Sequence, residues 1–145
     1  MKYLILTLFF LTFANANTCN QKSQKIAEKE EIKTQVTQKN KFFINFLNGK
    51  NVSEEKLHIT IDEERSSVSG YSGCNTFSCK YTTEKESISL GYPMASKMHC
   101  PKKTALEQEF FKSLAEVKVK IIKKDSLLLK DNKGAVLFIG IKTPQ

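Results

Sequence analysis

The chain contains no tryptophan, two histidines (His58 and His99) and a single arginine, Arg65, in 145 residues. Each shortage closes off a class of function. The planar fork of donors on arginine is the side-chain group that best matches phosphate, and a basic protein built almost wholly on lysine lacks it. The lysines form no stripe interleaved with aromatics, and several stand beside acids, as in Lys85-Glu86 and Lys123-Lys124-Asp125. The formal net charge of +8 therefore reads as a soluble, lysine-coated surface. No nucleic-acid partner is expected, although loose attraction to anionic envelope polymers stays open. A hydrolase or transferase needs a nucleophile, a base and an orienting group. His58 falls on the polar side of an alternating stretch and His99 in a loop, while Asp62, Glu63 and Glu64 read as solvated turn charge. No C-x-x-C motif is present, since four residues separate Cys74 from Cys79, so thiol–disulfide exchange lacks its usual frame. These residues point to no catalytic group, no cofactor and no resident metal, and no enzyme is expected.

Long hydrophobic runs are equally scarce. The only one, Tyr3 to Phe13, follows Lys2 and precedes Ala14-Asn15-Ala16. A short positive start, an apolar run and a small-x-small site together make a cleavable signal peptide over residues 1–16. The run is far below the roughly 20 residues a membrane-spanning helix needs, and no later stretch approaches that length. The expected product is exported, periplasmic or extracellular, and begins at Asn17. The alternative is a lipoprotein anchored at Cys19, although Ala16 and Thr18 match such a site poorly. Residues 17–39 are polar and of mixed charge, with too little apolar surface to fold alone, and read as a leader or tether. Residues 40–145 form one domain, expected to be a monomer.

All four cysteines, Cys19, Cys74, Cys79 and Cys100, lie beyond the cleavage site. An even number in an exported domain of this size implies disulfides, with three pairings open. Zinc spacing with histidine pairs is missing. Met94, Met98, His99 and Cys100 offer an alternative, a soft-metal site for copper(I), because thioether, imidazole and thiolate suit that ion. Oxidation of Cys100 would remove the ligand such a site most needs.

Along residues 40–145, strand signals recur at short spacing. Phe42 to Leu47 ends at Asn48-Gly49, a tight-turn pair. Leu57, Ile59 and Ile61 alternate with His58, Thr60 and Asp62, the period of a half-buried strand. Ser66 to Tyr71, Phe77 to Tyr81 and Ile88 to Leu90 continue the series, and Gly91 to Pro101 forms a long connection. One helix is predicted from Thr104 to about Val117, with Thr104 and Glu107 as a capping box and Leu106, Phe110, Leu114 and Val117 on its apolar face. At Val117 the period turns to alternation, with Val119 and Ile121 set against Lys118, Lys120 and Lys123. Leu127 to Leu129 and Ala135 to Ile141 form a closing hairpin. The fold class is mainly β (α+β): a small antiparallel barrel or strongly curled sheet of seven or eight strands with one helix plugging an end.

Three stretches carry a family resemblance. Lys41 to Lys50 resembles an opening strand with its N-G turn, with Phe42 in the place of a frequent tryptophan. Val68-Ser69-Gly70-Tyr71-Ser72-Gly73-Cys74-Asn75-Thr76-Phe77 is similar to the signature v-x-G-x-x-G-C-N-x-[FY]. Ser96-Lys97-Met98-His99-Cys100-Pro101 resembles T-x-M-x-C-P, followed by a glutamate-bearing helix with Glu107 and Glu109. Together they resemble the META domain (HslJ-like) family over about residues 40–142. The resemblance implies a small β-barrel-like fold, exported or envelope-attached, associated with stress or drug-resistance phenotypes and without catalytic residues. It also places Cys74 and Cys100 in facing segments, which implies a bridge between them and leaves Cys19 to pair with Cys79. Pairing of Cys74 with Cys79 is the rival; it is disfavoured in an extended strand, where five residues span about 16 Å. Gly70, Gly73, Asn75, Met98 and Pro101 are read as structural motif residues, because close packing, turn chemistry and helix entry account for their types. The expected function is a structural or binding module linked to envelope stress, with an unidentified envelope protein or small ligand as partner. Copper or small-ligand binding is the alternative.

Overall fold

The structure, a computed structural model, describes residues 39–85 and 87–142. The signal segment, the leader up to residue 38 and Cys19 lie outside the described residues; Lys39, read from the sequence as the end of the leader, is the first residue of a strand. In chain order the elements are β1 (Lys39–Leu47), β2 (Lys50–Asn51), a 3-10 turn (Ser53–Glu55), β3 (His58–Asp62), β4 (Ser67–Tyr71), β5 (Thr76–Glu84), β6 (Ser87–Leu90) and β7 (Met94–Ala95). A second 3-10 turn (Pro101–Lys103) then leads into α1 (Thr104–Glu116), and β8 (Val119–Lys123), β9 (Ser126–Lys130) and β10 (Val136–Lys142) follow.

Eight strands close into an antiparallel barrel in the order β1-β3-β4-β5-β6-β8-β9-β10, with β10 returning to β1. Short β2 pairs with β1, and short β7 pairs with β5. The alternation legible in the sequence becomes an inside and an outside: in β5 Phe77, Cys79 and Tyr81 are buried while Thr76, Ser78 and Lys80 are exposed. At the first hairpin Asn48 and Gly49 both take positive φ (49° and 79°), the geometry that matches strand twist in two-residue turns. Gly70 answers a different constraint. A Cβ there would stand 2.0 Å from the backbone oxygen of His58, so β3 and β4 can pair Ile59 with Gly70 only because that side chain is missing.

The ring has one thin joint. β6 meets β8 through a single register pair, Ser87 with Val119, supported by a bond from Ile88 N–H to the Lys118 carbonyl at 2.8 Å. Helix α1 supplies core packing that the sheet alone does not. Fully buried Phe110 stands edge-on to Phe77 of β5 at 5.3 Å and to Phe138 of β10 at 5.2 Å, so one ring bridges two sides of the barrel. Leu114 and Val117 complete the buried face, whereas Leu106 is only half-buried. Chain direction changes where the sequence period does: Val117 is the first extended residue after the helix, with ψ 127°.

Three local expectations are corrected. Thr104 does not cap α1; it is the first helical residue and bonds through its hydroxyl to the Cys100 carbonyl at 3.2 Å, while Glu107 turns away to other partners. In β8, Lys120 and Ile122 share a face with their register partners Leu129 and Leu127, which are buried, so Lys120 points inward. Its ammonium lies 5.4 Å from the centre of the Tyr81 ring and reaches Glu63 at 3.1 Å, which lets a lysine occupy an inward position at a barrel rim. Asp62 is not solvated turn charge; it is 6% exposed and accepts the Arg65 backbone N–H at 3.0 Å, with Arg65 and Lys39 beside it.

Two measurements follow from this packing. Phe110→Ala should cost about 3–5 kcal/mol in urea unfolding, the cost of emptying a fully buried aromatic site; a loss below about 1 kcal/mol would contradict its bridging role. His58 lies on the outer face between the rings of Phe43 and Tyr71, 5.9 and 6.2 Å away. Burial, and secondarily the charge of Lys41, hold its pKa below the ordinary histidine value. The unfolded chain therefore takes up a proton near pH 6.5 that the folded chain resists, so stability falls as pH drops below about 6.5. His58→Gln should flatten that decline, as read by unfolding midpoints on either side of the window.

Candidate functional site

The motif residues meet where β4 passes into β5. The chain turns through Ser72-Gly73-Cys74-Asn75, with Gly73 at φ +102° and the Ser72 N–H bonded to the Asn75 carbonyl at 2.9 Å. The bare Cα of Gly73 faces Leu57 and Leu106, which brings the first turn of α1 against the barrel. Asn75, 6% exposed, then joins three segments with one amide. Its Nδ2 donates to both carboxylate oxygens of Glu107 at 3.0 Å, and its Oδ1 accepts from the Ser96 hydroxyl and the Met98 N–H, each at 2.8 Å. Glu107 also accepts the Asn75 backbone N–H at 3.1 Å and a bond from the fully buried Ser72 hydroxyl. A disulfide from Cys74 to Cys100, with Cα atoms 5.9 Å apart, ties the same turn to the residue before Pro101, where the entry to α1 begins.

A second contact holds the helix from the first hairpin. The Asn48 amide donates to Ser113 Oγ at 2.9 Å and to Glu109 at 3.1 Å, and Lys50 pairs with Glu109 at 3.1 Å. These donors hold the Glu109 carboxyl below the usual carboxylate range, the Asn48 bond being the larger cause. The Lys103–Glu55 ion pair fastens the helix entry to the first 3-10 turn.

The bridge between Cys74 and Cys100 is as expected. Cys79 is buried on the inner face of β5 and unbridged among the described residues; its expected pairing with Cys19 lies outside the described residues. The alternation of β5 turns Cys79 into the barrel, where burial pushes its thiol pKa up. With Cys100 oxidised, the Met94-Met98-His99-Cys100 cluster has no thiolate to offer a soft metal. Among the described residues no three His, Cys, Asp or Glu side chains converge as metal ligands. Two clefts are shallow and external. One of about 500 Å³ runs along α1 beside Asn48, Gln108 and Lys112; another of about 390 Å³ lies between Glu116 and the Asp131–Lys133 turn.

Clasp, bridge and barrel occur together in a recognisable frame. The META domain family model matches residues 34–142. The chain belongs to the META domain family. None of the curated proteins compared with it matches. Among solved structures, the protein from Burkholderia xenovorans studied by NMR is similar at 17% identity, with 72% of this chain and 83% of that chain covered and a TM-score of 0.53. A second NMR structure is similar at 22% identity, covering 70% of this chain and 88% of that one, with a TM-score of 0.53. A crystal structure of a DUF4847 family protein from Bacteroides vulgatus is similar at 9% identity, covering 73% and 94%, again with a TM-score of 0.53. At these identities the likeness is one of fold.

In this META domain the signature residues Gly73, Cys74, Asn75, Met98 and Cys100 are joined around the β4–β5 turn by the Asn75 hydrogen bonds and the Cys74–Cys100 bridge. Sequence reading did not find Glu107 as their central acceptor; its place three residues after Thr104 imitates a capping box and hides the longer-range role. Asn75→Ala should cost about 2–4 kcal/mol, because it leaves the part-buried Glu107 carboxylate and the Met98 N–H short of partners. Asn75→Asp, nearly identical in shape, should cost at least as much near neutral pH, since it replaces two donors with an acceptor charge facing Glu107. A thermal shift for Asn75→Asp much smaller than for Asn75→Ala would contradict the assignment.

Proposed function

We propose that this META domain is an exported, non-catalytic module of the cell envelope, working in envelope stress by holding a fixed surface toward a partner. One observation carries the reading: the hydrogen-bonding capacity of the signature residues is turned inward. Asn75 fills both donor and both acceptor positions of its amide within the fold, and Glu107 and Ser72 are occupied with it. Residues committed in this way shape a surface and leave nothing free to act on a substrate. The Cys74–Cys100 bridge suits an oxidising compartment, where such a bond persists. The signal-like residues 1–16 agree with that destination.

Fractionation of expressing cells with intact-mass measurement tests this reading. The protein should leave the cytoplasm with a mass corresponding to a chain that starts at Asn17 and carries a Cys74–Cys100 link in unreduced peptide maps. A cytoplasmic chain with both cysteines reduced would overturn export. A diacylglycerol-modified Cys19 as first residue would replace free release by a lipid anchor.

A further inference from the structure

We propose that the segment from Gly91 to Lys102 is a membrane-contact loop, placing Tyr92, Met94 and Met98 into the interfacial layer of an anionic bilayer while Lys97 and Lys102 meet its headgroups. Tyr92 is 93% exposed, Met94 76% and Met98 67%, the three most exposed large apolar side chains among the described residues. Such exposure marks an interaction surface when it is clustered. Here it is clustered along one strip. The segment runs antiparallel beside β5, with Gly91 N–H on the Lys80 carbonyl at 2.8 Å, Met94 opposite Ser78, Ser96 N–H on the Thr76 carbonyl at 3.0 Å and Met98 bonded to Asn75. Both ends are fastened, one by β6 and the other by the Cys74–Cys100 bridge. The fold therefore presents these side chains to water by construction.

Charge and residue type identify the occupant. From Ser87 to Leu106 there is no acidic residue. Lys97 and Lys102 are both exposed, whereas Lys103 is committed to Glu55. Protein–protein contacts enrich tyrosine and methionine but deplete lysine. Tyrosine with flanking lysine is the combination that suits a headgroup layer, the ring lying at the interface and each ammonium drawn to anionic lipid. This proposal deepens the reading of an envelope module by naming its partner as a lipid surface.

The absence of tryptophan provides a local reporter. In the full chain carrying Tyr92→Trp, vesicles of phosphatidylcholine mixed with phosphatidylglycerol should shift the indole emission to the blue, and vesicles of phosphatidylcholine alone should not. Adding Lys97→Gln and Lys102→Gln should weaken the response about tenfold or more, and added salt should weaken it in the same direction. Adding Met94→Ser and Met98→Ser should abolish the shift while leaving the thermal midpoint unchanged, because neither side chain enters the core. No shift with anionic vesicles would overturn the proposal, as would a shift that survives loss of both methionines. A concentration-dependent shift without vesicles would assign the surface to a second copy of the chain instead. The readout reports the loop itself, so a mass measurement that disproves export would leave the vesicle result standing.

Discussion

The side-chain amide of Asn75 is the point on which the architecture depends. A side-chain amide offers two donors and a carbonyl with two lone pairs. Asn75 directs the donors to Glu107 of α1 and the carbonyl to Ser96 and Met98 of the long connection, from a position inside the β4–β5 turn. Three segments distant in sequence are thereby fixed to one another in a part-buried setting, where each bond is worth more than at the surface and each missing one costs more. Aspartate could not donate at this place, and glutamine would carry the amide too far out.

The rest of the fold needs that fixation because the sheet is not self-sufficient. A ring whose β6–β8 joint consists of a single register pair has a weak side, and α1 compensates by sending Phe110 between Phe77 and Phe138. The helix can do so only if its first turn is placed correctly. The Glu107 clasp and the contact of Leu106 with Gly73 achieve that, and the Cys74–Cys100 bridge closes a 26-residue separation worth about 3.5 kcal/mol in the chain-entropy view. The ion pairs of Lys50 with Glu109 and Lys103 with Glu55 reinforce the arrangement more weakly, as exposed pairs do.

The distribution of legible and hidden features follows from range. Strands at Leu57–Ile61 and Phe77–Tyr81, the Asn48-Gly49 turn and the helical face of Phe110 and Leu114 are local patterns, and each is present as read. The barrel follows from the run of short strands and tight turns, and the Cys74–Cys100 bridge from motif resemblance; that Gly73, Asn75 and Met98 share one location is stated by neither, because no local pattern says which segments face each other. What escaped was local in appearance and distant in function. Glu107 looked like a cap, Asp62 looked like turn charge, and Lys120 looked like the polar phase of an alternation whose inward phase it occupies together with Ile122. In each case a longer-range partner (Asn75, the Arg65 backbone with its neighbouring cations, or Glu63 across the Tyr81 ring) changed the meaning of the residue.

The same partnership also determines what the long connection shows to solvent. With the Met98 backbone N–H and the Ser96 hydroxyl tied to Asn75, and Ala95 paired to Phe77, the inward hydrogen-bonding groups of this stretch are used, and the bulk of Met94 and Met98 is left outward. Turning Met98 inward would require breaking the clasp that positions α1, and turning Met94 inward would break its pairing with β5, so the exposure is a consequence of how the segment is fastened. A stretch that is both fixed and apolar has already lost the conformational entropy that a flexible loop would lose on contact, which lowers the cost of binding. In the proposed membrane-contact loop the exposed Lys97 and Lys102 would favour an anionic surface over a neutral one. Stability and surface thus meet in one segment: the amide that clasps α1 also fixes Met98, while pairing with β5 fixes the stretch that carries Tyr92 and Met94.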